Sequence, residues 1–343
     1  MTKIEWTDAV WNPVTGCSKV SAGCKNCYAE GVANRFWGER KFTDVRCHED
    51  RLDVPLRWRK PRRVFVNSMS DLFHDDVRDD FIDRVFATMQ LAPHHTFQIL
   101  TKRPERMRDY MTTRVVGESQ GMTYGDRIRL VGCKLLEAMP NRLANATCKR
   151  VGSVSQHPTP WPLPNVWLGV SCEDQRAADE RIPLLLETPA AVRFVSVEPL
   201  LERVNLWPWD SDPKTYALVG PRKRRRATTC APDIEGVDRM PASLDWVIVG
   251  GESGPGARPC DVAWIRSIVR QCKESSVPVF VKQLGRHPRG DRFDMSEASF
   301  VCVDAAGWSE HDGRRLPLRD RKGGDTAEWG DELRVREFPR GGA

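Results

Sequence analysis

Short apolar segments alternate with amphipathic ones along most of the chain, and this alternation constrains the fold more than any other feature. Each apolar segment has the length of one buried β-strand, and the segments between them carry apolar residues at helical spacing. The predicted strands are residues 11–15, 63–68, 96–101, 166–171, 192–197, 245–250 and 277–283. The clearest predicted helices are residues 79–92, a segment beginning at Pro104, residues 174–186 and residues 261–275.

Repeated strand–helix units predict an α/β fold with a parallel sheet and helices outside it. Six or seven such units favour a full or partial barrel over an open sheet. The barrel is expected within residues 1–285, interrupted by polar insertions at about 112–164 and 207–240, the first with one helix near 128–143. Residues 286–343 are rich in glycine and charge, so we expect a C-terminal extension packed on the barrel.

Polar residues follow six of the predicted strands, at the end where function lies in parallel α/β folds. Each residue alone is equally well explained as a helix cap, but six polar ends in succession favour a site. They are Ser68, Ser70 and Asp71; Thr101 and Lys102; Ser171 and Glu173; Ser196 and Glu198; Gly251, Glu252 and Ser253; and Lys282 and Gln283.

Three of the 11 cysteines, Cys17, Cys24 and Cys27, lie close together in one loop. Two residues separate Cys24 from Cys27, so one tight turn can present both sulfurs to a single metal centre. Three thiolates can hold a 4Fe-4S cluster at three of its irons and leave the fourth iron open to a ligand. The best-known ligand of that kind is S-adenosylmethionine (SAM), in radical chemistry.

The alternative to an iron-sulfur cluster is a zinc site, which normally takes a fourth protein ligand. Cys47 and His48 are the nearest candidates for that ligand, and neither forms a familiar second pair with the trio. The open coordination position therefore favours the cluster.

Composition indicates a soluble cytoplasmic protein without membrane contact. The scattered, odd-numbered cysteines suit a reducing compartment, and the chain has neither an apolar run of 18 residues nor an apolar N-terminal leader. A formal net charge of +6 is mildly basic. Two basic runs, residues 57–63 and Arg222 to Arg226, are either solvated surface or contacts to nucleic acid.

Seven segments together resemble a known family. They are TGCSKVSAGCKNCYAE (15–30), FVNSMSDLFH (65–74), FQILTKRPERM (97–107), NVWLGVSCED (165–174), RFVSVEPLL (193–201), DWVIVGGESGPGARP (245–259) and VFVKQLG (279–285). With them the chain resembles the phage-associated three-cysteine family of phages and bacteria, which is related to radical SAM enzymes and has no firmly assigned substrate. The resemblance implies a partial (β/α)6 TIM-like barrel of the radical SAM type, with a cluster near the first strand and SAM across the barrel mouth.

The resemblance also implies roles for individual residues. Cys17, Cys24 and Cys27 would hold the cluster, and Asn26 would lie near the adenine. Asp71 or Ser68 would receive the methionine amino group. From the type and position of the residues themselves, we expect further cofactor contacts from Lys102, Ser171, Glu173, Glu198 and the Gly250–Gly251–Glu252 segment, which is otherwise a tight turn after its strand. On the same grounds we expect substrate contacts from Arg103, Arg258, Lys282 and Gln283.

The leading hypothesis from the sequence is a radical SAM enzyme that receives an electron from an external donor and acts on a nucleic acid or a nucleotide. One alternative is a zinc-stabilised nucleic-acid-binding protein without radical chemistry. Another keeps the cluster only as a structural or redox-sensing element. The sequence leaves the product and the oligomeric state open.

Overall fold

The structure, a computed structural model, describes residues 4–112, 122–152, 159–206, 243–290, 316 and 318–339. Its main sheet has seven parallel strands that follow one another in the sheet in the same order as in the chain. They are β1 (Ala9–Trp11), β2 (Arg63–Val66), β3 (Thr96–Thr101), β4 (Val166–Ser171), β5 (Val192–Val197), β6 (Trp246–Gly250) and β7 (Val279–Gln283). The sheet curls into a half barrel, so the predicted TIM-like α/β architecture is confirmed at this level.

Seven helices are assigned among the described residues. They are α1 (Tyr28–Phe36), α2 (Asp79–Gln90), α3 (Pro104–Thr112), α4 (Tyr124–Ala138), α5 (Asn141–Val151), α6 (Gln175–Glu187) and α7 (Val262–Glu274). The single helix expected near 128–143 is wrong, because Met139 and Pro140 separate α4 from α5. Helix α1 was not predicted, because only its two alanines, Ala29 and Ala33, are buried, and it lacks an apolar stripe.

The larger core lies between the sheet and its helices. Alternate strand residues, such as Val64, Ile99 and Val195, pack there against helix residues that include Phe86 and Ile265. Strands β4 and β6 are buried along their whole length, as expected for parallel strands covered on both faces.

A second cluster, in which no helix residue takes part, fills the concave face of the sheet. Its buried members are Trp6, Trp167, Phe194, Trp246, Ile248 and Phe280. Most of these side chains come from the first half of their strands, so the rings form a floor at the amino-terminal end. Gly169 makes room for this floor, since a Cβ there would lie 2.6 Å from the Phe194 ring. The opposite, carboxyl end of the concave face is left to polar side chains.

The described part of the C-terminal extension runs beside the edge strand β7. The backbone N–H of Val281 donates to the Val335 carbonyl at 2.9 Å, and that of Glu337 donates to Val279 at 3.0 Å. These bonds pair an otherwise open sheet edge. The second insertion, with Arg222 to Arg226, lies outside the described residues.

Candidate functional site

The cysteine loop, residues 17–27, follows β1 and leads directly into α1. Its entry is fixed at Gly16, whose φ of +96° favours glycine and where a Cβ would lie 2.4 Å from the Asp44 carbonyl oxygen. One short 3-10 turn, Ala22–Cys24, lies inside the loop. Three groups of charged residues from the carboxyl ends of strands hold the rest of it.

The first anchor follows β3. The buried Arg103 donates from Nη2 to the Ser18 hydroxyl at 2.8 Å and from Nη1 to Asp71 Oδ2 at 3.1 Å, and the same Nη1 lies 3.7 Å from Cys17 Sγ. Asp71 also accepts from the Thr101 hydroxyl at 2.7 Å and from the Lys102 backbone at 3.0 Å. The carboxylate is thus surrounded by donors of the protein itself, which favours an anchoring role for Asp71 and Arg103.

The second anchor follows β4. The side chain of Glu173 is fully buried, and its Oε1 accepts from the Gly23 backbone N–H at 3.2 Å. Its Oε2 accepts from Lys102 Nζ at 3.1 Å and from Arg181 Nη1 at 2.9 Å. Burial opposes ionisation, but the charge of Lys102, a hydrogen bond from Ser21 and the charge of Arg181 outweigh it and hold the pKa of Glu173 at about 2.

The third anchor follows β6. Glu252 forms a two-pronged ion pair with Arg258, at 2.9 Å to Nε and 2.7 Å to Nη2, and accepts from Asn26 Nδ2 at 3.1 Å. Arg258 also donates to the Ala22 carbonyl at 2.9 Å, and Asn26 donates to Gly256 at 2.7 Å. Burial raises the pKa of Glu252, but the hydrogen bonds from Arg258 and Asn26 bring it below its usual range.

A further ion pair lies at the polar end of the half barrel. Lys282 Nζ lies 2.5 Å from Glu198 Oε1, which also accepts from Gln283 Nε2 at 3.3 Å. Gln283 donates in addition to the Gly251 carbonyl at 2.9 Å. The side chains of Lys282 and Glu198 are 21% and 17% exposed, so a ligand in solvent can reach this ion pair.

The other predicted site residues have structural contacts. Ser68 donates to Asn12 Oδ1 at 3.3 Å, and the Ser171 carbonyl accepts from Arg181 at 2.7 Å. At Gly251 a Cβ would lie 2.4 Å from the Leu284 carbonyl oxygen, and at Gly250 it would lie 3.1 Å from that of Gln283. Close backbone packing against the end of β7 therefore accounts for both glycines.

Sequence reasoning missed four contributors to the anchors: Ser18, Ser21, His74 and Arg181. His74 was expected at the surface or in a cap, and it is buried, with Nδ1 accepting from the Asp76 backbone N–H at 3.1 Å in a local capping contact. Its Nε2 lies 2.8 Å from the Ser18 hydroxyl. Arg181 carried a usable signal, because it stands beside Ile182 within the apolar stripe of α6, where a charge needs a buried partner.

The three cysteines of the loop are free thiols and are half buried. Burial and the nearby Asp71 carboxylate raise the pKa of Cys17 to about 11, with Arg103 acting in the opposite direction. Cys17 and Cys27 both pack against the small cluster of Ala29, Ala33 and Phe42. As three free thiols on one loop, these residues have the donor type of a three-thiolate site.

The side chains of the three cysteines are not arranged around a single metal position. Within the described ranges, no group of three or more His, Cys, Asp or Glu side chains is arranged so that it could hold a metal ion. The three thiols would therefore have to turn toward one another to share one centre. Of the two fourth ligands considered for zinc, Cys47 is exposed and His48 lies 2.7 Å from the Thr15 hydroxyl.

The basic run at residues 57–63 lies at the other end of the half barrel, because it leads into the first residue of β2. Arg57 pairs with Asp53 at 2.6 Å and Arg63 with Asp8 at 3.0 Å, while Arg62 stacks on Trp58. This run does not border the cysteine loop.

Among the residues that the structure describes, no helix combines the length and the apolar character needed to span a bilayer.

The chain was compared with curated proteins, solved structures and family models. Neither the curated proteins nor the solved structures include one that matches this chain. A family model described as "Protein of unknown function (DUF5131)" matches residues 1–321, which is most of the chain. The chain therefore belongs to the DUF5131 family.

Proposed function

We propose that this protein is a radical SAM enzyme whose 4Fe-4S cluster is held by Cys17, Cys24 and Cys27. The observation that carries the proposal is the placement of three free thiols on one loop, which buried ion pairs fasten to the carboxyl ends of β3, β4 and β6. That edge is where parallel α/β folds place their chemistry. The resemblance to the phage-associated three-cysteine family supports the same reading.

When bound, the cluster and SAM would supply a deoxyadenosyl radical for hydrogen abstraction. The protein's own residues would bind and orient SAM. Lys282 would pair with the carboxylate of the methionine moiety and Glu198 with its amino group, since both are partly exposed at the polar end. Asn26 would lie beside the adenine, with Glu252 fixing its amide.

The sequence predicted direct contacts to cofactor or substrate for Asp71, Arg103, Glu173 and Arg258. We propose a different role for these four residues. Their hydrogen bonds to one another and to the cysteine loop use the groups that a ligand would need. We therefore assign them to positioning the loop. The aromatic floor below would exclude water from the inner half of the barrel.

For the substrate we favour a nucleic acid or a nucleotide. The net charge of +6 supports a phosphate-bearing partner in general terms. The basic run at residues 57–63 gives no local support, because it lies at the opposite end of the half barrel. An electron donor outside this chain completes the proposed reaction.

The deciding experiment is anaerobic reconstitution with iron and sulfide, followed by iron and sulfide analysis, absorption spectroscopy and an assay for deoxyadenosine. We expect about four irons per chain and SAM-dependent deoxyadenosine. Cys24→Ala should abolish both, and the matched Cys47→Ala should leave both intact, because Cys47 lies outside the loop.

Metal analysis also tests the alternatives. One equivalent of zinc in colourless protein would overturn the proposal in favour of a zinc-stabilised protein. A bound cluster without deoxyadenosine would leave a structural or redox-sensing role. In that case Cys24→Ala should lose stability together with iron.

A further inference from the structure

Large apolar side chains are exposed next to the cysteine loop. Among the described residues, four such side chains are exposed, and three of them are Val20, Tyr28 and Phe36. Tyr28 and Phe36 are 67% and 70% exposed and stand at the two ends of α1. The fourth, Leu130, lies on α4. Two exposed aromatic side chains on one nine-residue helix make this surface a candidate for contact with a partner.

Cations accompany these rings. Residues 17–41 contain five Lys or Arg and two Glu, and one of those carboxylates, Glu30, is paired with Lys19 at 2.7 Å. Lys25 is exposed on the cysteine loop, and the Arg35 guanidinium lies 5.3 Å from the centroid of the Phe36 ring. The surface formed by Tyr28, Phe36, Lys25 and Arg35, called here the α1 surface, thus combines flat rings with an excess of positive charge.

We propose that the α1 surface binds single-stranded nucleic acid, with bases stacked on Tyr28 and Phe36 and phosphates bound by Lys25 and Arg35. Any base can stack on an aromatic ring, and a basic surface attracts the phosphate backbone. The two rings are separated by about 12 Å along the helix, which leaves room for one strand to contact both. An acidic protein would use the charge as well, but it would not require exposed rings.

The position of the surface links it to the proposed site. Tyr28 directly follows Cys27, so a strand stacked there ends beside the cysteine loop. The inference therefore rests on the proposed function where it names the substrate class as single-stranded nucleic acid. The binding itself does not depend on radical chemistry.

The test measures binding of fluorescein-labelled dT20 and U20 by anisotropy, with a 20-base-pair DNA duplex as competitor. Tyr28→Ser combined with Phe36→Ser should weaken binding at least about tenfold, because each stacked base contributes substantially. Leu130→Ser removes an exposed apolar side chain elsewhere and should leave affinity unchanged.

The salt dependence of binding tests the roles of Lys25 and Arg35. Lys25→Gln combined with Arg35→Gln should reduce the slope of log affinity against log salt by about 1.4, since each phosphate contact on a single strand contributes about 0.7. The charge-matched control, Lys134→Gln with Lys149→Gln, removes two exposed cations from α4 and α5 and should preserve the slope.

The inference would be overturned by no binding at low salt, by equal losses in the Leu130 control or by preference for the duplex. It would also be overturned by self-association that disappears in the Tyr28/Phe36 variant while oligonucleotides stay unbound. Capture of an acidic ferredoxin in place of oligonucleotides would overturn it too and assign the α1 surface to a redox partner. All measurements use both reconstituted and iron-free protein. Oligonucleotide binding without deoxyadenosine formation would overturn the proposed chemistry alone.

Discussion

The Gly23 backbone N–H donates to Glu173 Oε1 at 3.2 Å, across 150 residues of sequence. This bond joins the middle of the cysteine loop to the end of β4. It depends on glycine as much as on the carboxylate, because a Cβ at Gly23 would lie 2.9 Å from Glu173 Cδ. The contact therefore gives a direct way to move the loop with one methyl group.

Gly23→Ala should displace the cysteine loop. The added methyl group overlaps the buried Glu173 carboxyl, so we expect a loss of about 1–3 kcal/mol in the free energy of unfolding and lower iron content after reconstitution. Denaturant unfolding and iron analysis provide the measurements. Gly31→Ala, in the middle of α1 with open space around the position, should instead stabilise the protein by about 0.5–1 kcal/mol and keep its iron. Full iron binding by Gly23→Ala would contradict the role given to this contact.

The ionised Glu173 should make stability depend on acid pH. Its pKa is about 2 in the folded protein against an ordinary value of 4.5, so its stabilising contribution is complete above pH 4.5 and disappears as the pH falls toward 2. The shift corresponds to about 3 kcal/mol. Unfolding curves between pH 7 and pH 2.5 should show the difference between wild type and Glu173→Gln shrinking below pH 4.5. Glu187→Gln, which removes an exposed partner of Arg108, serves as the control and should show little difference at any pH.

Arg103→Lys should loosen the loop although it keeps the charge. A lysine cannot donate to Asp71 and Ser18 with the planar fork that Arg103 uses, so we expect a loss of about 1–2 kcal/mol and reduced iron content. Thermal unfolding and iron analysis measure both effects. The control is Arg108→Lys, on an exposed ion pair of α3, which should change neither. If Arg103→Lys bound iron like wild type, Arg103 would not be a positioning residue.

Lys282→Met should separate ligand binding from stability. The Lys282–Glu198 pair is partly exposed, so its loss should change the free energy of unfolding by less than about 1 kcal/mol. SAM affinity, measured by calorimetry on anaerobic protein, should fall at least about tenfold, because the methionine carboxylate of SAM would lose the cation proposed to pair with it. Lys273→Met on the exposed side of α7 is the matched control. Unchanged SAM affinity would remove Lys282 from the proposed site.

The strands were predictable because buried strands appear in the sequence as continuous apolar runs. Strands β3, β4 and β5 match the predicted ranges, whereas β1 (Ala9–Trp11) shares only Trp11 with the predicted range 11–15. Pro13 lacks the N–H that a paired strand would use, so β1 ends before it. Val14–Thr15 instead pairs antiparallel with Arg46–Cys47 in a separate two-stranded sheet. The apolar runs therefore predict which segments form the sheet, whereas local backbone chemistry determines where each strand ends.

The candidate site was predictable as a set of polar strand ends, but not as a set of contacts. The sequence shows that Glu173 and Glu252 follow strands, yet nothing local indicates that the first binds Gly23 and the second binds Asn26. Those pairings depend on the curvature of the sheet and on the path of the loop. Arg181 could have been found from its place in an apolar stripe, whereas His74 offered no comparable signal.

The order of these anchors along the chain has a consequence for biosynthesis. The cysteine loop leaves the ribosome early, whereas Glu252 and Arg258, which hold Asn26 and Ala22, follow more than 200 residues later. At ordinary translation rates that delay is about 10–50 s. During this interval the loop lacks the contacts that hold it and its thiols are open to oxidation, so we expect the proposed cluster to be inserted only after Glu252 and Arg258 have been synthesised.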